Sequence, residues 1–187
     1  MTIPLVFLLG FLGLIVLAGL WLMGAYNGLV TLRQAVRNAW AQIDVQLKRR
    51  HDLIPNLVNT VKGYAAHEKD TFERVINARA RATSATTPAE SIKAEGELSS
   101  ALARLLAVSE SYPELKANQN FLALQEELTS TENRVAFARQ FYNDNVTRLN
   151  TKIQTFPTVT VAGMFGFKEE PFFEAPSEEK EAPKVQF

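Results

Sequence analysis

Hydrophobic residues fill the first part of the chain without interruption. Residues 3–25, IPLVFLLGFLGLIVLAGLWLMGA, contain no charged side chain, and as an α-helix they would be about 34 Å long, which is enough to cross a bilayer. A cleaved signal peptide has a basic n-region and a shorter apolar core, and this run has neither. We therefore predict a retained transmembrane helix that contacts the lipid bilayer through residues 3–25, with Trp21 and Tyr26 near one interface.

After Tyr26 the pattern becomes amphipathic. Apolar residues recur every three or four positions, the spacing of a helix, at Leu29, Leu32, Val36, Trp40, Ile43, Leu47, Ile54, Leu57, Val61 and Tyr64. No turn signal separates this segment from the apolar run, so the transmembrane helix is expected to continue directly into it. Gly63 is the predicted end of this long helix.

A second helix is expected over about residues 66–82, with Phe72, Val75 and Ile76 as its buried face. The stretch ATSATTPAES follows, and its Ser, Thr and Ala residues without a large apolar side chain predict a solvated turn.

A third helix begins within that turn. Thr87 suits the N-cap, Pro88 the first helical position, and Glu90 the third position of a capping box. The helix is predicted to continue to about Glu110, with a buried face formed by Ile92, Leu98, Leu102, Leu105 and Val108. Pro113 is expected to start another short helical turn.

The longest regular segment covers residues 119–156 and contains no internal Gly or Pro. Its apolar positions keep helical spacing at Phe121, Leu124, Leu128, Val135, Ala138, Tyr142, Val146, Leu149, Ile153 and Phe156. Two long helices flanking two shorter ones predict an all-α fold, in which an N-terminal transmembrane helix continues into an elongated antiparallel bundle of about four helices.

The predicted organisation has four parts: a transmembrane anchor at 1–25, a helical bundle at 26–157, an aromatic segment at 158–173, and a disordered acidic tail at 174–187. Within the third part, TVTVAGMFGF has the alternation of a strand but contains two glycines. Residues 158–173 contain four phenylalanines, Phe165, Phe167, Phe172 and Phe173. These are expected to fold back against the bundle, and the alternative is a docking surface.

Charge and composition exclude several function classes. The chain carries 20 Lys plus Arg against 20 Asp plus Glu, so nucleic-acid binding would need a local basic patch. Lys48, Arg49 and Arg50 are the candidates, but adjacent residues on a helix point about 100° apart. We expect no nucleic-acid partner. The absence of cysteine excludes disulfides, thiolate metal sites and thiol catalysis.

The two histidines are the sharpest candidates for metal ligands, because each is followed by an acid, as His51-Asp52 and His67-Glu68. Their separation of sixteen residues corresponds to about 24 Å along a straight helix, too far for a shared ion. The segment His67-Glu68-Lys69-Asp70-Thr71 places Thr71 where a zincin motif needs its second histidine. We therefore expect no metal site and no cofactor.

Pro55 gives this region another interpretation. A helical proline cannot donate to the carbonyl four residues earlier, which belongs to His51. The helix is expected to kink near residues 52–54, and the backbone of His51 then needs another partner. His51 also lies on the apolar face, so we interpret it as a core polar group with a hydrogen-bond partner. The candidate partners are Asp52, Asn56, Asn59, and Asn or Glu residues of the last long helix.

No set of residues predicts catalysis. The sequence has no Gly-x-Ser-x-Gly turn and no glycine-rich loop between a strand and a helix. The pairs Glu126-Glu127 and Glu169-Glu170 are adjacent in sequence, and on a helix such neighbours diverge. Neither histidine has a glutamate three residues before it, as a di-metal bundle requires. We expect no catalytic residues and no enzymatic activity.

Three blocks of the chain resemble the LemA family: YNGLVTLRQAVRNAWAQIDVQLKRRHDLIPNLVNTVKGYAAHE, LLAVSESYPELKANQNFLALQEELTSTENRVAFARQFYNDNVTRLN and FPTVTVAGMFGF. Together they cover nearly all of residues 26–173. The resemblance implies a bacterial membrane protein with one N-terminal helix and an elongated helical domain. It supplies no catalytic mechanism. Links of some members to envelope stress and to membrane proteases imply a scaffold or adaptor.

The leading hypothesis is thus a non-enzymatic, membrane-anchored scaffold or adaptor that forms homo-oligomers and contacts a membrane protease or another membrane protein. Arg33 and Arg37 follow the span and no basic residue precedes it, which predicts a single-pass protein of the bacterial inner membrane with its N-terminus outside and its domain in the cytoplasm. The alternative is a sensory or ligand-binding module with a pocket beside the kink at Pro55.

Overall fold

A computed structural model describes the backbone of residues 2–173 and the side chains of residues 7–173. Across this range the chain forms helices and no strand: α1 (Thr2–Lys62), α2 (Lys69–Ser84), α3 (Pro88–Ser109), α4 (Pro113–Lys116), α5 (Gln119–Gln154) and α6 (Thr158–Met164). The all-α prediction is confirmed. The tail at 174–187, predicted to be disordered, lies outside the described residues.

The first helix, α1, joins the apolar run to the amphipathic segment, as the sequence predicts. It runs from Thr2 to Lys62 with Pro55 inside it and ends immediately before Gly63. Within the described residues it is the one helix long and apolar enough to cross a membrane, and its apolar window is not buried inside the protein. The chain therefore has the features of a membrane protein.

The second helix begins at Lys69, three residues after the predicted start. Phe72 and Val75 are buried as expected, but Ile76 is 54% exposed, so that part of the prediction is wrong. The buried face continues instead through Ala78 and Ala82. Small side chains at these positions let the backbone of α2 pack close to the neighbouring helix. The inward face of α2 therefore includes Ala78 and Ala82 in place of Ile76.

The third helix begins as its sequence predicts. The Thr87 side chain accepts a hydrogen bond from the backbone N–H of Glu90, and the Glu90 side chain accepts from the backbone N–H of Thr87, which completes a capping box. The Glu90 carboxylate also accepts hydrogen bonds from the backbone and hydroxyl of Thr86. These bonds, with the backbone of Thr86 contributing most, lower the pKa of Glu90.

The described chain divides into two compact units. The first, here called the anchor unit, comprises the residues up to Ala39 together with Asn143–Glu170; the second, the bundle unit, comprises Trp40–Tyr142 and residues 171–173. The boundaries predicted from the sequence stay a prediction. The core of the bundle unit gathers apolar residues from α1 to α5, among them Ile54, Leu57, Val61, Phe72, Val75, Leu98, Leu102, Leu105, Leu115 and Phe121.

The anchor unit has its own buried side chains on α1, α5 and α6, which include Leu29, Val36, Val146, Leu149, Ile153, Val161 and Ala162. Phe156 was expected to extend the buried face of the last long helix, and that is wrong, because α5 ends at Gln154 and Phe156 is 80% exposed.

Residues 158–164 form helix α6, so the strand-like alternation in TVTVAGMFGF is misleading. A strand needs a neighbouring strand to satisfy its backbone hydrogen bonds, whereas a helix satisfies them within the segment. Gly166 follows with a φ of 68°, a left-handed conformation that glycine adopts without strain.

The segment after Gly166 is held in the anchor unit by Asn150, which is 8% exposed. Its side-chain amide donates to the carbonyl of Glu170 over 2.9 Å and accepts from the N–H of Glu170 over 3.0 Å. The side chain therefore pairs with the backbone of residue 170 as a neighbouring strand would.

Candidate functional site

The three adjacent basic residues of α1 point to different surroundings, as their helical spacing predicts. Lys48 is exposed. Arg49 is half exposed and forms an ion pair with Glu127 of α5. Arg50 is buried, with a side chain 6% exposed. These positions do not form a continuous basic stripe.

Arg50 is the centre of a buried ionic cluster in the bundle unit. Its Nη1 lies 3.2 Å from Oε2 of Glu95, and its Nη2 lies 2.9 Å from the hydroxyl of Ser99 and 3.0 Å from Oε2 of Glu132. Glu95 is 4% exposed while Glu132 is 46% exposed. The guanidinium thus binds α1 to both α3 and α5 through charge-assisted hydrogen bonds.

Glu95 also pairs with His51. The second carboxylate oxygen, Oε1, lies 2.5 Å from Nε2 of His51, whose side chain is 10% exposed. This contact joins the imidazole of His51 directly to the carboxylate of Glu95. One carboxylate on α3 therefore holds two neighbouring side chains of α1, and we call Arg50, His51, Glu95, Ser99 and Glu132 the ionic cluster.

The backbone carbonyl of His51 has the separate partner that the proline predicts. Nε of Arg79, on α2, donates to this oxygen over 2.7 Å. Because Pro55 has no N–H to offer to the same carbonyl, the bond to Arg79 replaces the missing helical one. His51 is thereby bound by its side chain to α3 and by its backbone to α2.

The expected partners of His51 were wrong, since Glu95 and Arg79 fill the roles proposed for Asp52, Asn56 and Asn59. The sequence did contain a signal for Glu95, because it falls on the inward face of α3, three residues before Leu98 and three after Ile92. An acid on an apolar face needs a buried partner, and His51 was the corresponding polar residue on α1. Arg79 carried no comparable signal, because basic residues are common at the edge of a helix.

The histidines do not meet in a metal site. His67 is exposed, in the turn between α1 and α2. Among residues 7–173, no group of three or more His, Cys, Asp or Glu side chains is placed to hold a metal ion. The ionic cluster offers one imidazole and one buried carboxylate already bound to each other, an arrangement suited to holding helices together.

Three cavities adjoin the ionic cluster. Arg50, Ser99 and Glu132 line one of about 310 Å³. A second of about 200 Å³ is lined by Arg50, Glu95 and Glu132, with Phe173 at its wall. A third of about 310 Å³ is lined by His51 and Asp52 together with residues at the end of α2 and the start of α3. Each of these cavities is lined in part by polar side chains of the bundle unit.

A further feature of the bundle unit is an apolar groove of about 690 Å³ between α1 and α5. Val45, Phe137 and Phe141 line it and are 62%, 75% and 49% exposed. Arg134 and Gln42 lie among its other lining residues. We call this surface the α1/α5 groove.

Comparison with known proteins identifies the family. The model of the LemA family matches residues 39–187, most of the chain.

The chain belongs to the LemA family. Among its relatives, magnetosome protein MamQ 2 of Paramagnetospirillum magneticum is 26% identical, covering 82% of this chain and 66% of its own length. Magnetosome protein MamQ of Magnetospirillum gryphiswaldense is 25% identical over 81% and 65%, and protein LemA of Metamycoplasma hominis is 26% identical over 75% and 64%. The chain spans just under two thirds of the length of these relatives.

Proposed function

We propose that this LemA-family protein is a non-enzymatic, membrane-anchored scaffold or adaptor, spanning the bacterial inner membrane once and holding its helical domain in the cytoplasm. The observation that carries the proposal is the α1/α5 groove. Soluble monomers rarely expose large contiguous apolar surfaces, and those that exist commonly mark interaction sites.

A second copy of the chain is the partner we favour. Anchoring confines the copies to one surface and raises their local concentration, which allows a modest apolar contact to support association. The ionic cluster fits this role, because its charged groups bind one another and brace α1 against α3 and α5. A scaffold needs such fixed helices more than it needs an open reactive site.

The family context supports a role at membranes. Two relatives are named magnetosome proteins, and membrane organisation or envelope stress is the process we propose for this chain. A membrane protease or another membrane protein is the further partner we propose.

Crosslinking tests the groove directly, because the chain has no cysteine and single cysteines can be introduced at will. Phe137→Cys and Val45→Cys are expected to give disulfide-linked or reagent-linked dimers in native membranes. Ile76→Cys on α2, 54% exposed, is the matched control and is expected to give none. Equal crosslinking at all three positions, or none at the groove, would contradict self-association there.

A ligand-binding module is the second candidate, favoured by the cavity that His51 and Asp52 line. A small polar molecule bound there would stabilise the fold in proportion to its concentration above its Kd. Thermal-shift screening of the full chain tests this idea, with Ser91→Leu, at the wall of that cavity, as the variant expected to abolish any shift. Absence of a specific shift across a broad library leaves the scaffold as the better account.

A further inference from the structure

Aromatic contacts connect the end of the apolar run to the segment that follows α6. In the anchor unit, the ring of Tyr26 meets the ring of Phe165 edge-on with centroids 4.8 Å apart, and that of Phe167 at 5.8 Å. The guanidinium of Arg33 lies 4.9 Å from the centre of the Phe167 ring. Phe165 therefore occupies the level of Tyr26 along α1.

That level is close to the surface of the bilayer. A hydrocarbon core about 30 Å thick takes about 20 helical residues, so a span that begins at Ile3 ends near Leu22. Tyr26 lies one turn, about 6 Å, further on, in the zone where tyrosine is enriched. The packing of the protein agrees, because side chains 7–21 are all exposed while Leu22 is the first that is partly covered.

The segment at this level has two contrasting faces. Thr158, Val161 and Ala162 of α6 are buried within the anchor unit. Val159, Met164 and Phe165 are 42%, 73% and 50% exposed. Exposure of these large apolar side chains to water is unfavourable in free energy.

We propose that α6 and Phe165 form a second membrane-contacting element, which rests on the same bilayer that α1 spans and lays Val159, Met164 and Phe165 into its interfacial region. Apolar faces of helices that lie on membranes enter the boundary between headgroups and acyl chains by about 5–10 Å. The element is continuous with the span through the Tyr26–Phe165 contact, which is why a bilayer fits this surface better than a second protein. This proposal goes beyond the scaffold function. The two proposals have one assumption in common, which is that α1 spans the bilayer.

Spin labels on single cysteines in the full chain, reconstituted in phosphatidylcholine vesicles, test this placement. Accessibility of the label to oxygen, which concentrates in lipid, is compared with accessibility to a water-soluble nickel complex. Met164→Cys is the test position, Ile15→Cys inside the span is the lipid reference, and Ile76→Cys on α2 is the exposed water reference. Circular dichroism confirms that each variant keeps its helix content.

The ratio of oxygen to nickel accessibility at position 164 is expected to be several-fold higher than at position 76 and to approach that at position 15. A ratio at 164 equal to that at 76 would overturn the proposal. A label at 164 that neither reagent reaches would overturn it too, in favour of protein contact. A label at position 15 that is accessible from water would contradict the membrane anchor, and with it the proposed scaffold function. A label in lipid at position 15 together with a label in water at position 164 would contradict the second membrane-contacting element alone.

Discussion

Arg79 of α2 binds the backbone of His51 on α1, with Nε donating to the carbonyl oxygen over 2.7 Å. In an uninterrupted helix this oxygen would accept from the N–H four residues later, but that residue is Pro55. The proline leaves an acceptor on α1 and the arginine supplies the donor from α2. A local defect in one helix thereby becomes a connection between two.

The first prediction concerns this connection. Arg79→Ala is expected to lower the free energy of unfolding by about 1.5–3 kcal/mol, the range for a hydrogen bond from a charged donor. In a Pro55→Ala background the restored N–H of residue 55 can bond the same carbonyl, so the loss is expected to shrink by about 1 kcal/mol. Urea unfolding of the full chain in detergent, followed by circular dichroism, measures the double-mutant cycle.

The control for that cycle is Arg74→Ala, an exposed arginine of the same helix. Its effect is expected to stay within about 0.5 kcal/mol in both backgrounds. If Arg79→Ala destabilises both backgrounds equally, the restored N–H of residue 55 does not compensate for the loss of Arg79. The stabilising effect of Arg79 would then not come from its hydrogen bond to the carbonyl of His51.

The second prediction compares a buried ion pair with an exposed one. Glu95→Gln leaves the guanidinium of Arg50 buried without its main counter-charge, and is expected to destabilise by about 3 kcal/mol. Glu132, which also faces Arg50, limits the loss. The combined Arg50→Met and Glu95→Leu variant is expected to regain part of that stability, because it removes the buried charge pair, while Nε2 of His51 then loses its partner on α3.

The matched control is Glu97→Gln, which breaks the Arg81–Glu97 pair between α2 and α3. Both side chains of that pair are well exposed, at 58% and 42%, so its loss is expected to change stability by at most about 1 kcal/mol. If Glu95→Gln and Glu97→Gln lower the free energy of unfolding equally in the same experiment, burial does not make the ion pair of the ionic cluster more important for stability than the exposed pair.

The third prediction concerns acid sensitivity at the start of α3. Hydrogen bonds from Thr86 and Thr87 lower the pKa of Glu90, so its folded-state pKa lies below that of the unfolded chain. Glu90 therefore contributes stability above the ordinary glutamate pKa of about 4.3, and this contribution disappears as the pH falls through the lowered pKa. In Glu90→Gln the side chain is neutral at every pH, so this pH-dependent contribution is expected to vanish.

Thermal unfolding at a series of pH values measures this effect. The difference in Tm between the native chain and Glu90→Gln is expected to be largest near neutral pH and to narrow in the acidic range. Glu110→Gln, at the other end of α3, controls for the general effect of removing one carboxylate. A difference that stays constant with pH would rule out the proposed role of the capping box.

The fourth prediction uses two glycines three residues apart. Neither Gly163 nor Gly166 has a heavy atom within 4 Å of the position of an added Cβ, but Gly166 has a φ of 68°. Gly166→Ala is expected to destabilise by about 1 kcal/mol, because alanine disfavours the left-handed region. Gly163→Ala, inside α6, is expected to be neutral or to stabilise by up to about 1 kcal/mol. Urea unfolding that gives both variants the same sign would contradict this assignment.

The sequence predicted those features that depend on neighbours along the chain. The capping box of Thr87 and Glu90 forms within one turn, and α1 ends at Lys62, next to Gly63, because glycine is a poor helix former. The loss of the Pro55 hydrogen bond is equally local, since it depends only on residues 51 and 55. Each of these could be inferred from a few adjacent residues.

The features that the sequence did not predict depend on distant residues. Glu95 is 44 positions from His51, and only the packed bundle brings the two side chains together. Ile76 looked like a core residue by size, but the inward face of α2 follows Ala78 and Ala82, whose small side chains carry a weak hydrophobic signal. The alternation in residues 158–164 resembled a strand because a sequence pattern does not reveal whether a pairing strand exists.

The side-chain amide of Asn150 forms hydrogen bonds with the backbone N–H and carbonyl of residue 170, and not with its side chain. The anchor unit therefore holds this stretch by groups that every amino acid except proline possesses. Residue 170 is free to diverge among related chains without loss of the contact, whereas position 150 accepts only a side chain that both donates and accepts at the same reach. Substitutions in this region should accordingly be tolerated at residue 170 and disfavoured at Asn150.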